Sequence, residues 1–335
     1  MRQWLERQWY RNKLGLWNLL GMPVDLLMAA LVFLRRFFYR IGLFASWRSP
    51  VPVVVVGNIT VGGTGKTPLV LFLVDRLKSR GYRPGIISRG YGGSAQAPMQ
   101  VTVASSVAVV GDEPLLMAMR AKCPVWIGQD RPAVARALIA SNPQCDVIIS
   151  DDGLQHYALR RDFEIVVVDG ARYFGNGAML PIGPMREPLW RMRDVDAIVI
   201  NGKESYRSGD YLMCLMGERF YSLHAPKETV LADYFQGKRI HAVAGIGNPT
   251  RFFNHLRELG LEIAEHAFPD HHQFQVEDLQ MPGADIILMT EKDAVKCLKF
   301  PLTNIWVLPV QAEVVGGLED KVIEKIESFY GRKTA

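Results

Sequence analysis

The run Gly62-Gly63-Thr64-Gly65-Lys66-Thr67 gathers the residue types that phosphate chemistry uses. Glycines free backbone N–H groups to point at an anion, Lys66 can bridge the β- and γ-phosphates of a nucleotide, and the Thr67 hydroxyl can hold Mg²⁺. The apolar run 53–56 ahead of it and the helix-period stretch 67–80 behind it supply the strand–turn–helix context that a P-loop needs. Thr60 stands where the strict G-x-x-x-x-G-K-[ST] pattern has its first glycine, and Gly62-Gly63 comes later. The Gly-x-Gly-Lys-Thr end still sits between strand and helix. A nucleotide phosphate site is therefore expected at Gly62, Gly63, Thr64, Gly65, Lys66 and Thr67.

A bound nucleotide's metal needs carboxylates from a neighbouring strand. The apolar run 145–150 ends in Asp151-Asp152 and resembles a Walker B strand, with one aspartate near Mg²⁺ and the other near the ion's water or the phosphates. Glu113 is a further acid expected at the metal, after Thr67, Asp151 and Asp152. His156 reads equally well as an imidazole beside the phosphates and as a hydrogen-bonded structural residue. Gly111-Asp112-Glu113-Pro114 opens a helix, where Asp112 is either a cap or a working carboxylate. Pro269-Asp270-His271-His272 follows a later strand. Transfer of phosphate to an alcohol needs a group that accepts the hydroxyl proton, and an Asp–His pair facing the γ-phosphate suits that task.

These residues must be carried by a regular scaffold. From residue 51 the chain alternates short apolar runs (53–56, 85–88, 101–104, 125–128, 147–150, 165–169 and 197–201) with amphipathic stretches (67–80, 113–121 and 131–141). The fold class expected is α/β: a P-loop NTPase-like parallel sheet with helices on both faces, plus a second, smaller α/β domain and an N-terminal amphipathic helical segment. The pattern is irregular around 211–227, then resumes with strands at 240–244, 262–268, 286–290 and 305–310 and a helix at 251–259. The expected organisation is membrane-interface helices over 1–47, a kinase-like core over 48–207, a linker or hinge over 208–238 and the smaller domain over 239–330.

Composition narrows the partners. The 335 residues carry a net charge of +5, but residues 1–50 hold eight Lys or Arg against two acids, so the remainder is close to neutral. The basic excess lies in an otherwise apolar segment, 14–44, which argues for an anionic membrane surface and against nucleic acid. The longest uninterrupted apolar run there, 26–34, is nine residues, with Asn18, Pro23 and Asp25 before it. That is too short for a span, and Arg35-Arg36 follows it in place of a small-residue cleavage site. An interfacial helix pair is expected, with Trp4, Trp9, Tyr10, Trp17, Phe33, Phe37, Phe38, Tyr39, Phe44 and Trp47 at headgroup level. The four cysteines, Cys123, Cys145, Cys214 and Cys297, show neither CxxC spacing nor a nearby histidine ligand, so reduced thiols are expected.

Taken in order, several runs resemble one family. They are Gly57-Asn58 ahead of Val61-Gly-Gly-Thr-Gly-Lys-Thr-Pro68, Ser88-Arg-Gly-Tyr-Gly-Gly93, Gly111-Asp-Glu-Pro114, Asp151-Asp-Gly-Leu-Gln-His156, Asn176-Gly177 with Leu180-Pro181, Gly183-Pro-Met-Arg-Glu-Pro188, Asp270-His271-His272 and Thr290-Glu-Lys-Asp-Ala-Val-Lys296. This series is similar to tetraacyldisaccharide 4′-kinase, a lipid A pathway family of Gram-negative bacteria, from about residue 14 to about residue 310, and that family shares the altered P-loop with Thr60. The resemblance implies ATP- and Mg²⁺-dependent phosphorylation of the 4′-hydroxyl of a lipid A disaccharide 1-phosphate, giving lipid IVA. It implies a peripheral enzyme on the cytoplasmic face of the inner membrane, with no obligate protein partner. It also implies that Asp112 and His271, the histidine directly after Asp270, act together on the sugar hydroxyl, with Lys66 as the third catalytic residue.

Two other readings share the P-loop. A membrane-associated GTPase or ATPase, or a metallochaperone-like nucleotide switch, would need an Asn-Lys-x-Asp guanine reader; the chain offers Asn201-Gly202-Lys203-Glu204 and Thr290-Glu291-Lys292-Asp293, both out of pattern. A membrane scaffold with a structural nucleotide would bind ATP and transfer nothing.

Overall fold

A computed structural model describes residues 8–10, 15–202 and 209–331 of the chain. Among the described residues fifteen strands lie in two sheets. The first eight are β1 (Val53–Gly57), β2 (Pro84–Ser88), β3 (Met99–Val101), β4 (Val125–Ile127), β5 (Val147–Asp151), β6 (Phe163–Asp169), β7 (Ala197–Asn201) and β8 (Tyr211–Met216). The others are β9 (Phe220–Ser222), β10 (Thr229–Val230), β11 (Ile240–Ala244), β12 (Ile263–Ala267), β13 (Ile286–Thr290), β14 (Ile305–Leu308) and β15 (Gln311–Val315).

The larger sheet has the order β15-β8-β7-β6-β1-β5-β2-β4-β3. It is parallel from β8 to β4, and antiparallel only where β15 and β3 close its edges. Its inner strands are valine- and isoleucine-rich because both faces are covered. Val54 and Val56 pack against the P-loop helix Lys66–Ser79 and the C-terminal helix Leu318–Gly331. Val53 and Val55 pack on the opposite side with Val134, Ala135 and Leu138 of the helix Arg131–Ser141. In the smaller sheet, β10-β9-β14-β13-β11-β12, the strands β12, β11, β13 and β14 are parallel.

The chain passes between the sheets twice, from β8 to β9 and from β14 to β15. The stretch 208–238, expected as a linker, thus contains β8 of the larger sheet and β9 and β10 of the smaller. Residues 311–330, expected in the smaller domain, return to the first unit as β15 and the C-terminal helix. Their pairing partners are distant in sequence, so local periodicity carries no trace of where they go.

The N-terminal segment differs most from expectation. It contains the helix Leu16–Arg40, continuous through Pro23, and long and apolar enough to cross a membrane by length and composition; residues 8 and 9 are also helical, and the rest of the expected first helix lies outside the described residues. Pro23 lies inside the helix without ending it, and Asp25 accepts a hydrogen bond from the Met179 amide at 2.5 Å. Trp4, Arg2, Arg7, Arg11 and Lys13 lie outside the described residues. One side of the helix rests on the body: Met28, Ala29 and Val32 join the core around β1, and Arg36 pairs with Asp194 at 2.6 Å. The other side exposes Leu19, Leu20, Leu26, Leu27, Leu31 and Phe33. The cysteines are free, Cys145 and Cys297 buried.

Candidate active site

The carboxyl ends of β1, β5, β6 and β7 converge on the glycine-rich turn, the edge where open α/β sheets bind ligands. Gly65 has φ +95° and caps the helix that begins at Lys66. A side chain there would collide with Asn201, whose amide nitrogen donates to the Thr64 carbonyl at 2.9 Å. Asn201 therefore braces the P-loop from the end of β7; Lys203 and Glu204, which belonged to the guanine-reader comparison, lie outside the described residues. Thr60 is buried in a bridge to Met185, so a side chain rather than glycine suits that place.

Lys66 lies 3.6 Å from Asp152 Oδ1. Arg186 donates to both Asp152 oxygens, at 2.8 and 3.1 Å, and also to the Asn58 side chain. Burial alone would raise the Asp152 carboxyl, but these two cations hold it well below the usual carboxylate range. Asp152 is thus ionised and occupied by Lys66 and Arg186.

Asp151 is in the opposite condition. It is buried, its Oδ2 accepts from Ser88 Oγ at 2.9 Å, and its Oδ1 has no hydrogen-bond partner. Burial, and then the charge of Glu113, push its pKa up to about 6. Positive charge at Oδ1 would favour the ionised form of Asp151. Asp151 and the Thr67 hydroxyl are hard oxygen donors and fit Mg²⁺. Among the described residues no group of three or more His, Cys, Asp or Glu is placed to hold a metal alone.

His156 is neutral: burial and the nearby Arg131 guanidinium push it down to about 3. Its backbone carbonyl accepts from Arg161 at 2.7 Å, a bond that does not involve the imidazole.

Asp112 and His271, 159 positions apart, meet. His271 Nδ1 is 3.0 and 3.1 Å from the two Asp112 oxygens. Asp112 comes from the first turn of the helix Asp112–Ala121, after Gly111 with φ +87°, where a Cβ would collide with the Tyr91 carbonyl. His271 comes from the loop after β12 with φ +62°, and its ring lies 4.9 Å from that of Tyr91. Burial tends to raise Asp112, but the hydrogen bond from His271 and the charge of Lys292 outweigh it, and its pKa is lowered. Burial tends to lower His271, yet its bond to Asp112 leaves it raised. His272 points elsewhere and pairs with Asp278 at 2.9 Å.

Lys292 completes the cluster. Its ammonium is 2.8 Å from Glu113 and 3.1 Å from Asp270, and although burial opposes its charge, Glu113, Asp112 and Asp270 hold its pKa above the ordinary lysine value. Glu113, expected at the metal, is engaged by this lysine while raising Asp151 through space. Neither Arg186 nor Lys292 was singled out as a site residue by motif, although both stand inside runs that carried the family resemblance. Only the fold brings them to the acids. The dyad also reaches the phosphate loop through backbone: Gly63 and Gly247 are in contact, and a Cβ on Gly247 would lie 3.3 Å from Asp270 Oδ2.

Residues 17–327 match the family described as tetraacyldisaccharide-1-P 4′-kinase. The tetraacyldisaccharide 4′-kinase of Methylobacillus flagellatus is 50% identical over 324 residues, covering 97% of this chain and 96% of its own length. That of Azoarcus sp. is 47% identical over 322 residues, covering 95% and 94%. Among solved structures, apo-form LpxK from Aquifex aeolicus in complex with ATP superposes with a TM-score of 0.75 at 29% identity, covering 91% of this chain and 98% of that one.

Proposed function

Since this chain belongs to the tetraacyldisaccharide-1-P 4′-kinase family and is an ATP-dependent kinase of a lipid A precursor, we propose that its Asp112–His271 pair handles the sugar 4′-hydroxyl proton while the Lys66 loop holds the nucleotide. The observation that carries this reading is the 3.0 Å contact between the two residues beside the P-loop.

In this reading the amides of Gly62–Lys66 cradle the phosphates of ATP and Lys66 leaves Asp152 to meet the γ-phosphoryl group. Thr67 and Asp151 would hold Mg²⁺, which would neutralise charge on the phosphates. The 4′-oxygen attacks the γ-phosphorus, the bond to the ADP oxygen breaks, and the hydroxyl proton passes to the Asp112 carboxylate. His271 orients that carboxylate and disperses its charge. Arg186, on Asp152 and Asn58, keeps the second aspartate ionised next to Lys66.

The acceptor carries acyl chains, so the enzyme must work at a membrane. The N-terminal helix supports an interfacial rather than a spanning placement, because contacts from Gly21 to Tyr39 tie one side of it to the catalytic body. Its free side, with exposed leucines, and the exposed Arg40 suit an anionic leaflet on the cytoplasmic side, where ATP is available.

The direct test is mass-spectrometric detection of phosphate transfer from ATP to a tetraacylated glucosamine disaccharide 1-phosphate in detergent micelles. The product expected is the 1,4′-bisphosphate, formed only with Mg²⁺ present. Unimpaired transfer by Asp112→Ala would remove Asp112 from the proton's path.

A further inference from the structure

Arg172 has no part in the chemistry above, yet it touches both units at the phosphate loop. At the end of β6, Asp169 Oδ1 accepts from the Ala171 amide at 2.9 Å and turns the chain back toward the sheet edge. The Arg172 guanidinium then donates through Nη1 to the Gly247 carbonyl at 2.9 Å and through Nη2 to the Gly63 carbonyl at 3.1 Å. Buried Asp169 holds the same guanidinium at 3.0 Å and also holds Arg251, from the second unit's helix Pro249–Glu258, at 2.9 Å. Gly63 and Gly247 touch so closely that a Cβ on Gly247 would collide with the Gly63 amide.

A phosphate loop binds through its N–H groups, so its carbonyls have to be held away from the anion. A guanidinium suits this because its donors form a rigid planar fork that reaches two acceptors and a carboxylate together; an ammonium has no such geometry. Gly247 in turn abuts Asp270, the residue before His271. We propose that Arg172 is a positioning residue that latches the second unit to the phosphate loop, so that ordering Gly63 around ATP also seats His271 against Asp112. This rests on the roles given above to Asp112 and His271.

The test uses the full chain in micelles, with Arg172→Ala and Arg172→Lys made in the wild-type and His271→Ala backgrounds. ATP affinity and kcat are read separately. In the wild-type background Arg172→Ala should weaken ATP binding and lower kcat/KM about 10- to 100-fold, the scale of misplacing a reacting group by ~1 Å. With His271 already removed, Arg172→Ala should still weaken ATP binding but lower kcat little further. Arg172→Lys, which keeps the charge for Asp169, should fold even if the alanine variant does not, and should recover affinity more than kcat. Equal kcat losses in both backgrounds, or wild-type affinity and kcat in Arg172→Ala, would overturn the proposal. If the wild-type chain transferred no phosphate to the disaccharide, the reading of the dyad would fail. The latch would then stand or fall on ATP affinity, which the variant must lower.

Discussion

Two aspartates adjacent in sequence, Asp151 and Asp152, are driven in opposite directions by their surroundings. Asp152 faces Lys66 and Arg186, whereas Asp151 is buried against Glu113 with one oxygen unpartnered. Lys66→Ala should therefore lose about two or more orders of magnitude in turnover, the scale of removing one stabiliser of transition-state charge. Asp151→Asn should instead raise the Mg²⁺ concentration needed for half-maximal rate, read by metal titration. At the dyad, alanine at Asp112 or at His271 should lower kcat with little change in ATP KM. The double mutant should lose far less than the two effects combined, as residues acting as one unit do, while His272→Ala stays near wild type. The pair also fixes a pH dependence. Asp112, with its folded pKa lowered, adds stability that is present above its unfolded value and lost as pH falls through the folded one. His271, with its folded pKa raised, adds stability that is complete below its unfolded value and lost as pH rises through the folded one. The destabilisation caused by His271→Ala should thus be largest between about pH 4 and 6.5 and shrink at alkaline pH, as measured by thermal denaturation across pH.

At the scale of elements, the N-terminal helix divides its duties between its two sides. Leu20, Leu27 and Leu31 are exposed, whereas Met28, Ala29 and Val32 pack on the core around β1. Changing the three leucines to serine should abolish co-sedimentation with anionic vesicles while leaving the melting temperature nearly unchanged. Deleting the helix should do both kinds of damage, because it uncovers the core beneath. Loss of vesicle binding without loss of stability on deletion would mean that the helix is not part of the packed body. The helix also marks where sequence reading stops. Counting apolar runs makes Pro23 and Asp25 breaks, but the helix runs on through Pro23, and Asp25 finds the Met179 amide far along the chain. Signals carried within one strand and the turn after it were legible: β1 with its glycine loop, β5 with its acids, and the alternation that gives a parallel sheet. Contacts made across the chain were not. Nothing near Arg186 announces Asp152, nothing near Lys292 announces Glu113, and β15 has no local mark of its pairing with β8.

At the scale of the molecule, the candidate site exists only while the two units are held together, and the chain connects them by just two short crossings. Side chains must supply the rest. Besides Arg172, the helix Asp112–Ala121 of the first unit and the helix Glu291–Cys297 of the second are joined by Arg120 and Glu291, with N···O distances of 2.5 and 2.6 Å. The two ends of this bridge are unequal: Glu291 is buried and Arg120 partly exposed. Arg120→Ala would leave an unpaired carboxylate in the interface, a change that typically costs about 3–5 kcal/mol. Glu291→Gln would leave Arg120 free to reach solvent and should cost less. The sign of the pH dependence follows from the same asymmetry. Burial already raises the Glu291 pKa, and Arg120 works against that rise. Without Arg120 the folded-state value climbs further above the unfolded one, so the folded protein binds more protons and loses stability as pH rises from about 4 through that value. Urea unfolding of Arg120→Ala should show a deficit against wild type that is small at acid pH and grows toward neutrality, and adding Glu291→Gln should restore most of it. A deficit independent of pH, or one that Glu291→Gln does not relieve, would mean that the bridge is incidental and that the units are held together by the Lys292 cluster and the Arg172 junction alone.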